Sequence, residues 1–305
     1  MDKIIVFGHK NPDTDTICSS IVMANLQTKL RGEEIIPCRL GEINEETKYA
    51  LDKFGVEEPE LIEKVEDGQT VILVDHNEFS QSVEGIENAK IDTVVDHHRI
   101  NNFKTAEPLF YYALPVGCTS TILFELYTLN NMAIEPKIAG LMLSAIISDT
   151  LLLKSPTTTD KDREAVKVLA EIAKVDIDGY GLEMLKAGTD LDKYLEEELI
   201  ALDAKKMEKE DIKYVIAQVN TVSIPDVLKR KAKIETAINK EILSEGLSLF
   251  VFVITDIVNS NSEAIVLGDR TDLISKTYEI KDNIAVMPGV VSRKKQVLPL
   301  IEKNI

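Results

Sequence analysis

Apolar and polar positions along the first half of the chain come in blocks of alternating character. Lys3–Gly8 (KIIVFG) is a short β-branched run ending in Gly-His, which suits a buried strand leaving a sheet. From about Asp15 to Leu30, Ile17, Ile21 and Ala24 recur at helical spacing. Glu34–Arg39 then reads as strand, Glu45–Phe54 as helix, and Thr70–Asp75 (TVILVD) and Lys90–Asp96 (KIDTVVD) as strands. Strands that are apolar throughout and alternate with helices indicate a parallel sheet covered on both faces. Further helices are expected over Gly117–Asn130, Pro136–Ser148 and Thr159 to about Ala173.

The pattern breaks at Ala187–Glu198 (AGTDLDKYLEEE), where a glycine and a dense charge run interrupt it. A domain boundary belongs there, dividing residues 1–188 from 189–305 with a hinge at about 187–198. Beyond it, Lys213–Asn220 reads as a strand, and Ser223, Pro225 and Asp226 signal a helix start. Ile234, Ile238 and Ile242 mark one face of that helix. Leu249–Ile257 and Glu263–Gly268 look like strands of a second, smaller sheet. The expected fold class is α/β: an N-terminal doubly wound, mainly parallel sheet with helices on both faces, plus a smaller C-terminal α/β domain.

A length of 305 residues is consistent with two domains, since it exceeds what one core usually supports. The net charge of −17 argues against a broad nucleic-acid surface, which needs a basic footprint. That charge is unevenly spread. Residues 1–188 hold 18 Lys+Arg against 32 Asp+Glu, and residues 189–305 hold 17 against 20. The first part is suited to cations and the second is better supplied to meet an anion. No apolar run approaches the roughly 20 residues of a membrane span, and no secretory signal precedes the first strand, so a cytoplasmic protein is expected. Cys18, Cys38 and Cys118 lack any C-x-x-C spacing and read as reduced, buried thiols.

The four histidines, His9, His76, His97 and His98, all sit beside aspartates just past predicted strand ends. Ligands in open α/β sheets bind outside those ends. The segments are Gly8-His9-Lys10-Asn11-Pro12-Asp13-Thr14-Asp15, Val74-Asp75-His76-Asn77-Glu78 and Val95-Asp96-His97-His98-Arg99. Any one of them is weak, because a single Asp or His after a strand is more often a cap or turn residue. Together they crowd Asp13, Asp15, Asp75 and Asp96 at one edge, where carboxylates must take up protons or recruit cations. Asp149, after the apolar stretch Leu141–Ile147, is a further candidate, although alone it reads as a helix C-terminal turn residue. One imidazole per carboxylate-rich site favours Mn²⁺ or Co²⁺ over a thiolate zinc site. Near the C-terminus, Ser292-Arg293-Lys294-Lys295-Gln296 is either a solvated basic turn or an anion clamp. Lys205 is either a further cleft cation or an exposed helical lysine.

The segments G-H-x-N-P-D-x-D, V-D-H-N-E, D-H-H-R and S-R-K-K-Q, in this order, resemble the manganese-dependent (family II) inorganic pyrophosphatases of the DHH phosphoesterase superfamily. The likeness spans nearly the whole chain. D-H-H alone marks the superfamily, and S-R-K-K-Q makes the likeness specific. The resemblance implies a DHH domain followed by a DHHA2 domain, and hydrolysis of pyrophosphate to two phosphates by a metal-bridging hydroxide at a two-metal site in the domain cleft. His9, Asp13 and Asp75 would bind one Mn²⁺; Asp15, Asp75, His97 and Asp149 would bind the other, with Asp75 bridging. His98, Lys205, Arg293 and Lys294 would hold the phosphates, and Asp96 and His76 would support the ligands, His76 being equally readable as a satisfied structural histidine. Co²⁺ or Mg²⁺ would substitute for Mn²⁺, Mg²⁺ would accompany the substrate, and the protein would be a cytoplasmic homodimer. The stretch Leu40 to Thr70 is too short for the nucleotide-binding insertion of some members.

Three other readings stand beside it. A DHH exopolyphosphatase or a short-oligonucleotide phosphodiesterase would share the metal site. The phosphodiesterases carry a glycine-rich, histidine-containing C-terminal motif, and no histidine follows His98 here. A non-catalytic metal-binding protein would have lost the bridging carboxylate or the basic run, and both are present.

Overall fold

The computed structural model describes residues 3–189 and 191–305, with the side chain of Lys294 outside that description. The chain divides into two compact units, Met1–Gly188 and Thr189–Ile305.

In the first unit, strands β1 (Ile4–Phe7), β2 (Ile35–Arg39), β3 (Glu60–Leu61), β4 (Thr70–Val74), β5 (Lys90–Asp96) and β6 (Phe110–Ala113) make one six-stranded sheet in the order β3-β2-β1-β4-β5-β6. Every pairing in it is parallel. Its helices are α1 (Thr14–Arg31), α2 (Glu45–Phe54), α3 (Thr119–Leu129), α4 (Pro136–Asp149), α5 (Asp160–Ala173) and α6 (Ile177–Gly188). Alternation along each strand sends Val6, Ile72 and Val74 to one face and Phe7, Val71 and Leu73 to the other. All six are fully buried. On the second face the cover is thin. Two single 3₁₀ turns, Phe79–Gln81 and Ile86–Asn88, bring Phe79 and Ile86 onto Phe7, Val71 and Leu73. α1 begins where Asp13 caps it and ends where Gly32 turns left-handed (φ 71°), a geometry that costs glycine nothing.

The second unit holds another six-stranded sheet, β7 (Ala204–Lys209), β8 (Ile212–Thr221), β9 (Leu249–Asp256), β10 (Asn261–Leu267), β11 (Ile280–Lys281) and β12 (Ile284–Met287), in the order β11-β12-β10-β9-β8-β7. β8 and β9 pair in parallel; the remaining pairs are antiparallel. Central β9 is buried along its full length. Its Phe250, Phe252 and Ile254 meet Ile234 and Ile238 of one helix layer, while Val251 and Val253 meet Val297 and Ile301 of the other. The helices are α7 (Glu196–Leu199), α8 (Ile224–Leu228), α9 (Lys231–Glu245), α10 (Asp272–Ser275) and α11 (Leu298–Asn304), the last preceded by a π-helical turn, Arg293–Val297.

Three sequence expectations need correction. The helix read from Ser223 through Ile242 is two helices, α8 and α9, parted at Lys229 and Arg230. The second sheet has as many strands as the first; β7 and β11 are edge strands, and the charged AKKMEK of β7 carries no apolar run to announce it. Lys205 therefore lies on a strand, not on a helix. Arg230 fastens part of the boundary segment to the second unit, donating to the carbonyls of Leu191 and Tyr194 and pairing with Glu196 at 3.1 Å.

Leu73 is fully buried two residues before the end of the strand-to-loop turn at Asp75. Leu73→Ala is predicted to destabilise the first unit by about 2–5 kcal/mol. A urea unfolding midpoint unchanged from wild type would show that this face is not a packed core.

Candidate metal centre

From β1 the chain moves outward through β2 to β3 and then returns to β4 on the other side of β1, so strand order reverses between β1 and β4. A crevice opens at the carboxyl ends of two such strands. The sequence places His9 just past β1, Asp75 immediately after β4, and His97 immediately after β5. Asp13 and Asp15 open α1, and Asp149 closes α4.

Asp75 sits at the middle of these groups. One of its carboxylate oxygens, Oδ2, lies 3.5 Å from His9 Nε2, and the other, Oδ1, lies 3.4 Å from His97 Nε2. His9 Nε2 is also 3.4 Å from Asp13 Oδ2, and His97 Nε2 is 3.8 Å from Asp149 Oδ2. Two sets of donor atoms result, His9 with Asp13 and Asp75, and Asp15 with His97 and Asp149, each within a 4.8 Å span. Asp75, His97 and His98 form a third set of that kind. Asp13 serves twice, since its Oδ1 caps α1 by accepting the Thr16 N–H at 2.9 Å while Oδ2 faces His9.

Backbone carbonyls orient both imidazoles. His9 Nδ1 lies 2.8 Å from the Lys10 carbonyl and His97 Nδ1 lies 3.1 Å from the Val116 carbonyl. A carbonyl only accepts, so Nδ1 carries a proton in each ring, and Nε2 is the nitrogen left to face the crevice. Separations of 3.4–3.8 Å between facing nitrogens and oxygens exceed a hydrogen bond. They approach the roughly 3 Å between neighbouring ligands that each stand about 2.1 Å from one ion.

Electrostatics point the same way. Burial, then the nearby charge of Asp15, raises the Asp75 carboxyl to about 7. Burial and the charges of Asp15 and Asp75 push Asp149 well above the usual carboxylate range. Asp149 also stands at a helix C-terminus, where a negative charge opposes the macrodipole. Burial would lower His9, but its hydrogen bond and charge interaction with Asp13 raise it to about 9; His97 is likewise lowered by burial and raised, by Asp75 and Asp15, to about 9. Protein groups alone thus relieve the repulsion by holding protons, and a divalent cation relieves it by displacing them. The mixed carboxylate–imidazole set fits Mn²⁺.

Of the remaining sequence candidates, His98, Asp96 and His76 lie in the first unit, and Lys205, Arg293 and Lys294 in the second. His98 is half-exposed; its Nδ1 donates to Asp96 Oδ1 at 3.0 Å, a bond that raises its pKa and leaves Nε2 for other partners. Asp96 is fully buried and accepts from Asn77 and His98, so it orients His98 and lies outside the donor sets. His76 is turned away: Nδ1 donates to the Val74 carbonyl, Nε2 accepts from the Ser82 hydroxyl, and burial lowers it to about 4. It is a satisfied structural histidine. In the second unit, Arg293 pairs with Asp203 Oδ1 at 2.9 Å, and its backbone N–H donates to Gln218. Lys205 shares a sheet face with Met207, which packs on the cluster containing Val297, so Lys205 and the Arg293 turn lie on one side of that sheet. The side chain of Lys294 lies outside the described residues.

Several supporting residues escaped the sequence reading. Thr16 and Thr119 donate their hydroxyls to the two oxygens of Asp75, at 2.7 and 3.0 Å. Asp15, fully buried, accepts from the Ser19 hydroxyl and from the Thr119 and Ser120 N–H groups. The run Gly117-Cys118-Thr119-Ser120-Thr121, small and polar at a helix start, was the available signal. Asp75 itself is left-handed (φ 59°). Aspartate tolerates that conformation better than most residues, at a cost of about 1–2 kcal/mol.

Comparison with known proteins decides the family. Residues 3–146 match the DHH family N-terminal domain and residues 182–304 match the DHHA2 domain. The manganese-dependent inorganic pyrophosphatase of Bacillus subtilis (strain 168) is 55% identical over 304 residues, covering 99% of this chain and 98% of its own. The chain belongs to the manganese-dependent inorganic pyrophosphatases. A probable member from Oceanobacillus iheyensis is 53% identical over 307 residues, covering 100% of this chain and 99% of its own. A solved Methanococcus jannaschii structure assigned to the family II inorganic pyrophosphatases has 44% identity and a TM-score of 0.67, with 99% of each chain covered. An exopolyphosphatase-related protein from Bacteroides fragilis, at 14% identity and a TM-score of 0.51, covers 99% of this chain and 91% of its own and shares the fold alone. For this pyrophosphatase family member the pKa pattern yields a prediction. His9 and His97, raised to about 9, are protonated at pH 7 and must lose protons to bind metal. Mn²⁺ affinity of chelator-treated protein should therefore rise between pH 7 and about 9, with proton release. Titration calorimetry in two buffers of unlike ionisation enthalpy checks this; equal heats in both would contradict it.

Proposed function

We propose that this chain hydrolyses inorganic pyrophosphate to two phosphates with two Mn²⁺ ions, one held by His9, Asp13 and Asp75 and the other by Asp15, Asp75, His97 and Asp149. The observation that carries the reading is the Asp75 carboxylate, buried, with one oxygen facing each imidazole. Ions held by these residues would supply Lewis acidity, lowering the pKa of water and offsetting charge on phosphate oxygens. Co²⁺ would suit the same mixed donors and Mg²⁺, which prefers all-oxygen surroundings, would suit them less well, while Mg²⁺ would accompany the substrate to offset charge that the protein cations leave.

The chain's own groups do the rest. His98, raised by its bond to Asp96, favours the protonated form and can give a hydrogen bond or proton to the leaving phosphate oxygen. Arg293 offers its planar fork to phosphate oxygens, with Asp203 and Gln218 fixing its direction. Lys205 and Lys294 add positive charge to the anion site. The first unit is thus the metal-binding catalytic domain and the second the substrate-holding domain, with the hinge in the segment about 187–198. Homodimerisation through the edge strand β6 is part of the proposal, supported by the half-exposed Phe110 stacked on Tyr112. A cytoplasmic location accords with three free buried thiols.

The test is phosphate release by chelator-treated protein restored with Mn²⁺ or Mg²⁺, with pyrophosphate, tripolyphosphate and a dinucleotide as substrates. Pyrophosphate with Mn²⁺ should be fastest and the dinucleotide inert; equal rates on the dinucleotide would move the chain to a phosphodiesterase reading. Asp75→Ala is predicted to lower kcat by at least about 10²–10³. Arg293→Ala should raise KM about 10–100-fold, since a charge-assisted hydrogen bond contributes about 1.5–3 kcal/mol. An unchanged KM would remove Arg293 from the anion site.

A further inference from the structure

The segment Val116–Thr121 touches three of the proposed ligands at once. Its Val116 carbonyl accepts from His97 Nδ1 at 3.1 Å. Its Thr119 and Ser120 N–H groups donate to Asp15 at 2.7 and 3.3 Å, and the Thr119 hydroxyl donates to Asp75 at 3.0 Å. A small displacement of this one segment would move an imidazole and two carboxylates together. Its helix-capping residue, Cys118, makes no side-chain cap hydrogen bond.

Asp162 holds it. This carboxylate is fully buried in the first turn of α5. The Gly117 N–H donates to both of its oxygens, at 3.2 and 2.9 Å, and the Thr121 hydroxyl donates to Oδ1 at 2.6 Å. Oδ2 also accepts the Thr159 N–H and hydroxyl, at 2.6 and 2.7 Å, closing the capping box of α5. The approach to Gly117 is so close that a Cβ there would stand 2.8 Å from Asp162 Oδ2 and 2.8 Å from the Thr150 methyl. Only glycine permits it. A capping box functions equally well at a surface, and burying a carboxylate is costly unless its lone pairs are filled. The donors from Gly117 and Thr121 supply that filling, and in return their positions are fixed.

We propose that Asp162 is a positioning residue for the metal centre: through Gly117 and Thr121 it sets where Val116 and Thr119 meet His97, Asp15 and Asp75. This inference rests on the metal assignment given above. Asp162→Asn keeps the shape but turns one acceptor into a donor facing N–H and O–H groups. Thr121→Val removes a single link to Asp162 and leaves the α5 cap intact, while Thr159→Ala weakens that cap and leaves Gly117 and Thr121 bonded.

The experiment is calorimetric titration of chelator-treated full-length variants with Mn²⁺, with kcat and KM then measured at saturating metal. Asp162→Asn and Thr121→Val should each weaken Mn²⁺ binding about tenfold or more. Their KM for pyrophosphate should stay within twofold of wild type, and Thr159→Ala should bind Mn²⁺ like wild type. If Asp162→Asn does not fold, Thr121→Val against Thr159→Ala decides. Thr121→Val binding Mn²⁺ as wild type does, or Thr159→Ala losing as much affinity as Thr121→Val, overturns the positioning role while leaving the metal site standing. Wild type that takes up no Mn²⁺ overturns the metal assignment, and this inference with it.

Discussion

A single buried carboxylate that must face two ways sets the terms for the first unit. Asp75 turns one oxygen to His9 and one to His97, and Thr16 and Thr119 each donate to one of those oxygens. Holding it there requires a left-handed backbone at the end of β4 and an immobile strand behind it. The packed run of β4, between β1 and β5, provides that strand, and the reversal of strand order provides the open edge.

Crowding acids at that edge is unfavourable until something positive arrives. Asp15 and Asp75 are buried, and Asp149 lies against a helix C-terminus, so the arrangement raises the affinity for protons and cations alike. The acids of the first unit contrast with the second, where Arg293 and Lys205 lie on one side of the sheet. Lys206, one residue along, points to the other face and is spent on Glu241 and Glu245. The period of two along β7 separates a candidate phosphate contact from an ordinary surface ion pair.

Much of this was legible in the sequence, for identifiable reasons. The strands β1 and β4 are dominated by apolar runs, β5 closes on Val94-Val95-Asp96, and Asp or His stands within two residues of each end, so element type and donor chemistry appear in the same few residues. Glu45–Phe54 and Lys90–Asp96 have in the structure the bounds read from their patterns. What stayed hidden lacks such a pattern. β6 and β7 are edge strands with one face exposed or charged, and the break between α8 and α9 falls within a run of helix-forming residues. At the site, Thr16, Thr119 and Asp162 act through contacts made 41 to 104 positions apart in the chain, and serine, threonine or aspartate at a helix start carries a sufficient local explanation as a cap. His76 shows the converse, since its sequence neighbours are those of a ligand but its ring is satisfied by Val74 and Ser82, which is the structural reading the sequence had left open.

The central claim is that Asp75 joins two metal ions. Crystals of the protein grown with Mn²⁺ and measured at the manganese absorption edge test it directly, because anomalous scattering marks each ion without reference to turnover. Two peaks should flank the Asp75 carboxylate, one beside His9 and Asp13 and the other beside His97, Asp15 and Asp149. A single peak, or two peaks of which one leaves Asp75 untouched, would contradict the account.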